Sequence, residues 1–169
     1  MVALERYLNS FGKYIIKQSR SNLSRKKKNV SKELYNSLEF KVVKTTKGFT
    51  VQFFMADYGT FIDKGVSGTK KINEYNTYDG RRVESPYKYR SKRPPMKVFD
   101  KWIIRRGIAP RDDKGKFISR KSLQYLIANK IYTQGIKGIS FFQRSLQLGL
   151  KDFYNQVGNA IKKDIINTI

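Results

Sequence analysis

Phe40-Lys41-Val42-Val43-Lys44, Thr45-Thr46-Lys47-Gly48 and Phe49-Thr50-Val51-Gln52-Phe53-Phe54-Met55 follow one another without a break, and this stretch decides the fold. Phe49, Val51, Phe53 and Met55 alternate with mostly polar neighbours, the period of a strand with one buried face. The four residues between the two strand-like runs suit a hairpin loop. Upstream the period changes. Leu4, Leu8, Phe11 and Ile15 stand at spacings of 4, 3 and 4, which marks one face of an amphipathic helix. Arg6, Lys13, Lys17 and Arg20 make its opposite face basic. Ser31 is placed to cap a short helix containing Leu34 and Leu38.

Downstream, residues 70–95 turn polar and basic, with Tyr75, Tyr78, Tyr87 and Tyr89. Asp79-Gly80 is a tight-turn signal, so a hairpin arm is predicted from about Ile72 to Tyr89, ended by Pro94-Pro95. Met96, Phe99, Trp102 and Ile103 then follow helical spacing up to Gly107. Asp112-Asp113-Lys114-Gly115 reads as a turn, and Arg120 to Thr133 as a helix with Leu123, Leu126, Ile127 and Ile131 inward. Ser140 and Gln143 have the capping-box spacing. Phe142, Leu146, Leu150, Phe153, Val157, Ile161 and Ile165 after them predict one helix of about seven turns. The expectation is a single α+β domain over residues 1–169. It has a small antiparallel β-sheet with flanking helices, a projecting basic, Tyr-rich β-hairpin arm over residues 70–95, and a long C-terminal helix.

Composition narrows the chemistry. Lys and Arg number 36 against 13 Asp plus Glu, a formal charge of +23, and neither Cys nor His occurs. Disulfides, thiol nucleophiles, Cys-ligated zinc and imidazole bases are therefore excluded. The 39% hydrophobic and 14% aromatic content is too high for a disordered polycation. No apolar run approaches the roughly 18–20 residues of a membrane span, and the start lacks a secretory signal, so a soluble protein made in a cytoplasm is expected. The charge falls in blocks: +7 over residues 1–34, +1 over 35–68, +9 over 69–119 and +6 over 120–169.

A His-free nuclease would hold Mg²⁺ through carboxylates. Glu39-Phe40-Lys41 has the Glu-x-Lys spacing of one nuclease superfamily, but the upstream acids, Glu5 and Glu33, lie outside a strand–turn setting. No glycine-rich phosphate loop is present. No cofactor, metal or catalytic residue is called for. Lys26, Lys27 and Lys28 form a basic run suited to phosphate or to solvent, and Arg81, Arg82, Lys88, Arg90, Lys92 and Arg93 interleave with Tyr87 and Tyr89. Basic groups beside aromatic rings suit a nucleic acid, and the same pair of residue types suits a protein interface. In the segment Asp57 to Gly68, Phe61 and Ile62 are apolar where a loop should be polar. They either reach back to the core or pack against a neighbouring subunit.

The order of these elements resembles the tail-completion or neck proteins of tailed bacteriophages. The resemblance rests on Leu34-Tyr35-Asn36-Ser37-Leu38, the hairpin, Tyr58-Gly59-Thr60-Phe61-Ile62-Asp63-Lys64-Gly65, Lys114-Gly115-Lys116-Phe117-Ile118-Ser119, Ile131 to Ile136, and Phe141-Phe142 opening a final helix. It implies a non-enzymatic virion component, made in the host bacterial cytoplasm, that forms a homo-oligomeric ring joining head to tail around the DNA channel. Its partners would be copies of itself, portal or adaptor proteins and tail proteins, with nonspecific DNA contact and no membrane. On that reading Tyr58, Phe61, Ile62, Tyr75, Tyr78, Tyr87 and Tyr89 are the expected subunit contacts. Lys26, Lys27, Lys28, Arg81, Arg82, Arg90, Lys92 and Arg93 are the expected contacts with DNA or acidic partners. The alternative is a sequence-nonspecific nucleic-acid-binding protein, with a Mg²⁺ nuclease using Glu39 and Lys41 behind it.

Overall fold

The structure is a computed structural model that describes residues 1–26, 31–46 and 48–167. In chain order it contains helix α1 (Val2–Arg25), α2 (Glu33–Ser37), strands β1 (Glu39–Thr45) and β2 (Gly48–Phe54), α3 (Gly59–Lys64), and the short strands β3 (Val66–Ser67), β4 (Glu74–Asn76) and β5 (Arg82–Glu84). A 3₁₀ turn (Met96–Phe99) runs into α4 (Asp100–Arg105), followed by α5 (Arg120–Gln134), β6 (Gly135–Ile136), α6 (Phe141–Leu150) and α7 (Phe153–Ile166). The fold is α+β, with small antiparallel sheets among flanking helices. The chain divides into two compact units, Met1–Gly59 with Asn76–Arg81 and Ser140–Ile169, and Thr60–Tyr75 with Arg82–Ile139. The sequence predicts one domain and gives no sign of this division.

The first unit is organised by α1. Leu4, Leu8, Phe11 and Ile15 are buried as the spacing predicts, and Gly12, Ile16, Ser19, Asn22 and Leu23 are buried as well. The buried surface is therefore wider than one stripe, and α1 packs on β1, β2, α6 and α7. Strands β1 and β2 pair in antiparallel register from Glu39↔Phe54 to Thr45↔Gly48, and Phe49, Val51 and Phe53 point inward as expected. Rings join the layers: Phe11 lies 4.8 Å from Phe153 and 6.5 Å from Phe53, and Phe53 lies 5.3 Å from Phe142. Such pairs add about 0.5–1.5 kcal/mol beyond area burial. At Gly12 a Cβ would sit 2.2 Å from the Phe40 ring, so glycine is what lets α1 approach β1.

Both ends of α1 are held by the C-terminal helices. The Asp164 carboxylate of α7 accepts the Ala3 and Leu4 amides at 2.8 and 2.9 Å, satisfying donors that the first turn of a helix leaves unpaired. Burial pushes the Asp164 carboxyl up, but the Leu4, Ala3 and Val2 amides together with the N-terminal charge outweigh it, and the group titrates below its ordinary value of 3.8. At the far end the Asn22 amide donates to the Phe141 carbonyl at 3.1 Å and to Ser145 Oγ at 3.2 Å.

The second unit is built differently. Strands β3 and β6 pair antiparallel through Val66↔Ile136 and Ser67↔Gly135. The sequences Gly65-Val66-Ser67-Gly68 and Gly135-Ile136-Lys137-Gly138 pass each other at backbone contact. A Cβ on Gly135 would lie 2.0 Å from the Val66 carbonyl oxygen, and the residue sits at φ +74. Buried Asn73 ties the crossing together, donating to the carbonyls of Val66 (2.9 Å) and Gln134 (2.8 Å).

Several expectations are corrected. Ser31 does not cap α2; Lys32 holds the N-cap position at φ 55 with no side-chain cap bond. Ser140 and Gln143 do not close a capping box. Ser140 Oγ accepts the Asn76 amide at 2.9 Å and Gln143 Oε1 accepts the Tyr78 amide at 3.0 Å, so both serve the tip of the β4–β5 hairpin. That hairpin spans only Glu74–Glu84, shorter than the arm predicted over residues 70–95, and its tip is fastened to α6. The seven-turn helix is two helices, α6 and α7, broken at Lys151-Asp152, where the Asp152 carboxylate accepts the Asn155 and Gln156 side-chain amides. The segment Asp57 to Gly68 is α3 and β3 rather than a loop. In α5, Leu126 is exposed and only Ala128 is buried, so the inward assignment of Leu126 fails.

Gly135→Ala should destabilise the protein by on the order of 3 kcal/mol, since it meets both a positive φ and a backbone oxygen. Gly158→Ala, inside α7 with open space around it, should stabilise by roughly 0.5–1 kcal/mol. Urea unfolding of the two variants measures both signs. Asp164→Asn should lower the thermal midpoint at neutral pH. Because the folded pKa is depressed, the stability Asp164 contributes is present above 3.8 and fades as pH falls through the folded value. The gap between wild type and Asp164→Asn should therefore close on acidification.

Candidate subunit and polyanion interface

The segment 86–90 lies along β3 in the second unit. The Ser67 amide donates to the Tyr87 carbonyl at 2.7 Å, and the Tyr89 amide donates to the Ser67 carbonyl at 2.9 Å. An extended segment sends alternate side chains to opposite faces, which gives the interleaving of tyrosine and basic residues a structural cause. Tyr87 and Tyr89 are half-buried, while Lys88 and Arg90 are exposed. Tyr87 meets the Phe61 ring edge-on at 4.6 Å, and Tyr89 meets Tyr132 at 6.3 Å. Burial pushes the Tyr89 phenol up from its ordinary pKa. Phe61, Val66, Tyr87, Tyr89, Lys88 and Arg90 border an open hollow of about 480 Å³.

The expected basic contacts divide by what already holds them. Arg81 pairs with Asp79 and Arg82 with Glu74, each at 2.6 Å, so these two cations are partly neutralised within the hairpin. The Thr77 hydroxyl and the Arg81 donors hold the Asp79 carboxyl below its ordinary pKa. Arg93 lies over the rings of Tyr125 (5.4 Å) and Tyr132 (5.8 Å), and the Tyr132 hydroxyl donates to the Arg90 carbonyl at 2.9 Å. Lys92 is exposed, and Lys26 is exposed at the end of α1. Lys27 and Lys28 lie outside the described residues.

Of the expected subunit contacts, Phe61, Tyr87 and Tyr89 come together at the hollow. Ile62 is half-buried and its carbonyl accepts the Ile139 amide at 3.1 Å. Tyr75 is half-buried within β4, and Tyr78 is exposed at the hairpin tip. Tyr58 belongs to the first unit, where burial and then the Glu33 charge push its phenol up. Glu39 and Lys41 are exposed on β1, and among the described residues no three acidic side chains converge to hold a metal.

The same unit also exposes several large apolar side chains. Met96, Val98, Trp102, Ile104, Tyr125 and Leu126 are all exposed, while the unit's buried hydrophobic residues are Val66, Ile103 and Ala128. The signal for this exposure lay in α5, whose apolar residues Leu123, Tyr125, Leu126, Ile127, Ala128, Ile131 and Tyr132 exceed what one helix face can carry.

Among the described residues no helix is long and apolar enough to cross a membrane. No known family, curated protein or solved structure matches the chain.

Elution from immobilised heparin should report which cations face outward. Lys88→Gln with Lys92→Gln should lower the eluting salt concentration more than Arg81→Gln with Arg82→Gln, because the second pair already spends its charge on Asp79 and Glu74.

Proposed function

We propose that the chain is a structural virion protein of a tailed phage, forming a cyclic homo-oligomer in the neck region that joins head to tail around the DNA channel. The observation that carries the association is the apolar surface of the second unit. Ile104, Leu126 and Val98 are 55%, 52% and 60% exposed, yet the unit buries few apolar side chains of its own. A unit that exposes this many large apolar side chains around so small a core is normally covered in part by a partner. Glu84, Asp112 and Asp113, which no ion pair among the described residues engages, can meet basic groups of a neighbouring copy. A head-to-tail contact of two different patches closes into a ring when its rotation divides the circle. The phage assignment rests on the order of motifs from Leu34 to Phe142.

The exposed Lys88, Arg90 and Lys92 beside Tyr87 and Tyr89 favour a second reading, a nucleic-acid-binding protein without sequence preference.

Native mass spectrometry of the protein, alone and mixed with portal–adaptor complexes, separates the two. A defined multimer is expected. Val98→Asp with Leu126→Asp, both on exposed side chains, should shift it to monomer while leaving the circular dichroism spectrum unchanged. A monomer under every condition, binding DNA tightly at moderate salt, would reverse the order of the two readings.

A further inference from the structure

A groove of about 650 Å³ opens in the first unit between α1, α2 and the start of β1. On one side stand Lys13, Lys17, Arg20, Ser21 and Ser24, spaced 4, 3, 1 and 3 residues apart and so on one face of α1. Ile16, Leu38, Tyr35 and Phe40 supply apolar wall. From Lys13 to Ser24 the helix rises roughly 16 Å, the length of about five residues of extended chain.

The cations of this groove are prepared in two ways. Arg20 is fixed: its Nε and Nη2 donate to the carbonyls of Tyr35 and Leu38, each at 3.0 Å, and its guanidinium lies 5.2 Å from the Tyr35 ring centre. Arginine has five N–H donors, so a held Arg20 still offers several in a set direction. Lys13 and Lys17 are exposed, and no ion pair among the described residues involves either. They are positive groups set above an apolar floor.

We infer that this groove binds an acidic, aliphatic peptide segment of another protein, with carboxylates on Lys13, Lys17 and Arg20 and apolar side chains against the half-buried Tyr35 and Phe40. A nucleic acid fits it less well. Phosphates gain nothing from an apolar wall, and base stacking wants an open aromatic face, whereas the Tyr35 ring already carries Arg20 and the Phe40 ring packs against Gly12 and Phe53. The occupant is a different protein because the chain itself carries only 13 acidic residues against 36 basic ones. This binding does not depend on whether the chain forms a ring.

The test uses the full chain and three fluorescein-labelled probes: a short peptide alternating glutamate and leucine, one alternating glutamate and serine, and a single-stranded oligothymidine of matched charge. Fluorescence anisotropy at physiological salt should show the glutamate–leucine peptide binding about tenfold more tightly than the glutamate–serine peptide. Lys13→Glu with Lys17→Glu should weaken it about tenfold. Lys162→Glu with Lys163→Glu, exposed on α7, should change it by less than about twofold. The inference fails if the two peptides bind equally, if both double variants lose affinity alike, or if the oligothymidine binds more tightly through Lys13 and Lys17. Hydrogen exchange on the bound complex should slow residues 13–24 and 35–40, and protection elsewhere only would also overturn it.

Discussion

The first unit depends on one constraint, that α1 has more apolar surface than a single neighbour can cover. Its 24 residues rise roughly 36 Å, and the buried positions from Leu4 to Leu23 include pairs, Phe11-Gly12 and Ile15-Ile16, that point in different directions around the axis. Two layers must therefore meet the helix, the β1–β2 hairpin and the α6–α7 pair. Fully burying an aliphatic or aromatic side chain is worth about 1.5–3 kcal/mol, and ten of the thirteen buried hydrophobic residues belong to this unit. Polar groups then fix the register. Asp164 takes the first turn and Asn22 takes the start of α6, each pinning one end of α1 to a distant part of the chain.

The second unit relies on backbone contact where the first relies on side-chain burial. Gly65, Gly68, Gly135 and Gly138 let two segments separated by about seventy residues touch main chain to main chain. Asn73 and Ser67 then satisfy the polar groups that so close a crossing takes out of water. This arrangement fixes the strands at the base of the hollow, and with them Tyr87 and Tyr89, with little help from apolar packing. The helices α4 and α5 inherit a small core and leave Trp102, Ile104 and Leu126 facing outward.

Where periodicity carries the information, the sequence was easy to read. The first helix, the hairpin with its inward face, and the helix beginning at Arg120 follow from spacings of 3.6 and 2. The departures have two causes, a tertiary partner that claims a local motif and a polar residue that interrupts an apolar period. Ser140 and Gln143 have the spacing of a capping box but bond the hairpin tip, and Asp152 breaks a continuous apolar period that predicted one helix. The glycine crossing was illegible because neither four-residue segment says what it meets. Of the site, the company of Phe61 with Tyr87 and Tyr89 could be anticipated only as a set of residue types. The pairing of Arg81 and Arg82 with Asp79 and Glu74 needed coordinates.

Charge and apolar exposure constrain each other in any assembly of this chain. The net +23 already counts every acidic residue, and the pairs Arg81–Asp79, Arg82–Glu74 and Arg120–Asp100 all sit on partly exposed side chains, so most of the positive field is left for solvent and partners. Copies brought together repel, but salt screens charges beyond about 8 Å. What decides association is thus the chemistry within one contact. An exposed Val98 beside Asp100 can lie against a basic neighbour, whereas two basic faces cannot. Cations left over after such contacts, Lys13 and Lys17 on α1 and Lys88, Arg90 and Lys92 on the second unit, still require anions from elsewhere. The first set lies beside an apolar wall and the second beside tyrosine rings already packed on Phe61 and Tyr132, so the surroundings each offers an anion differ.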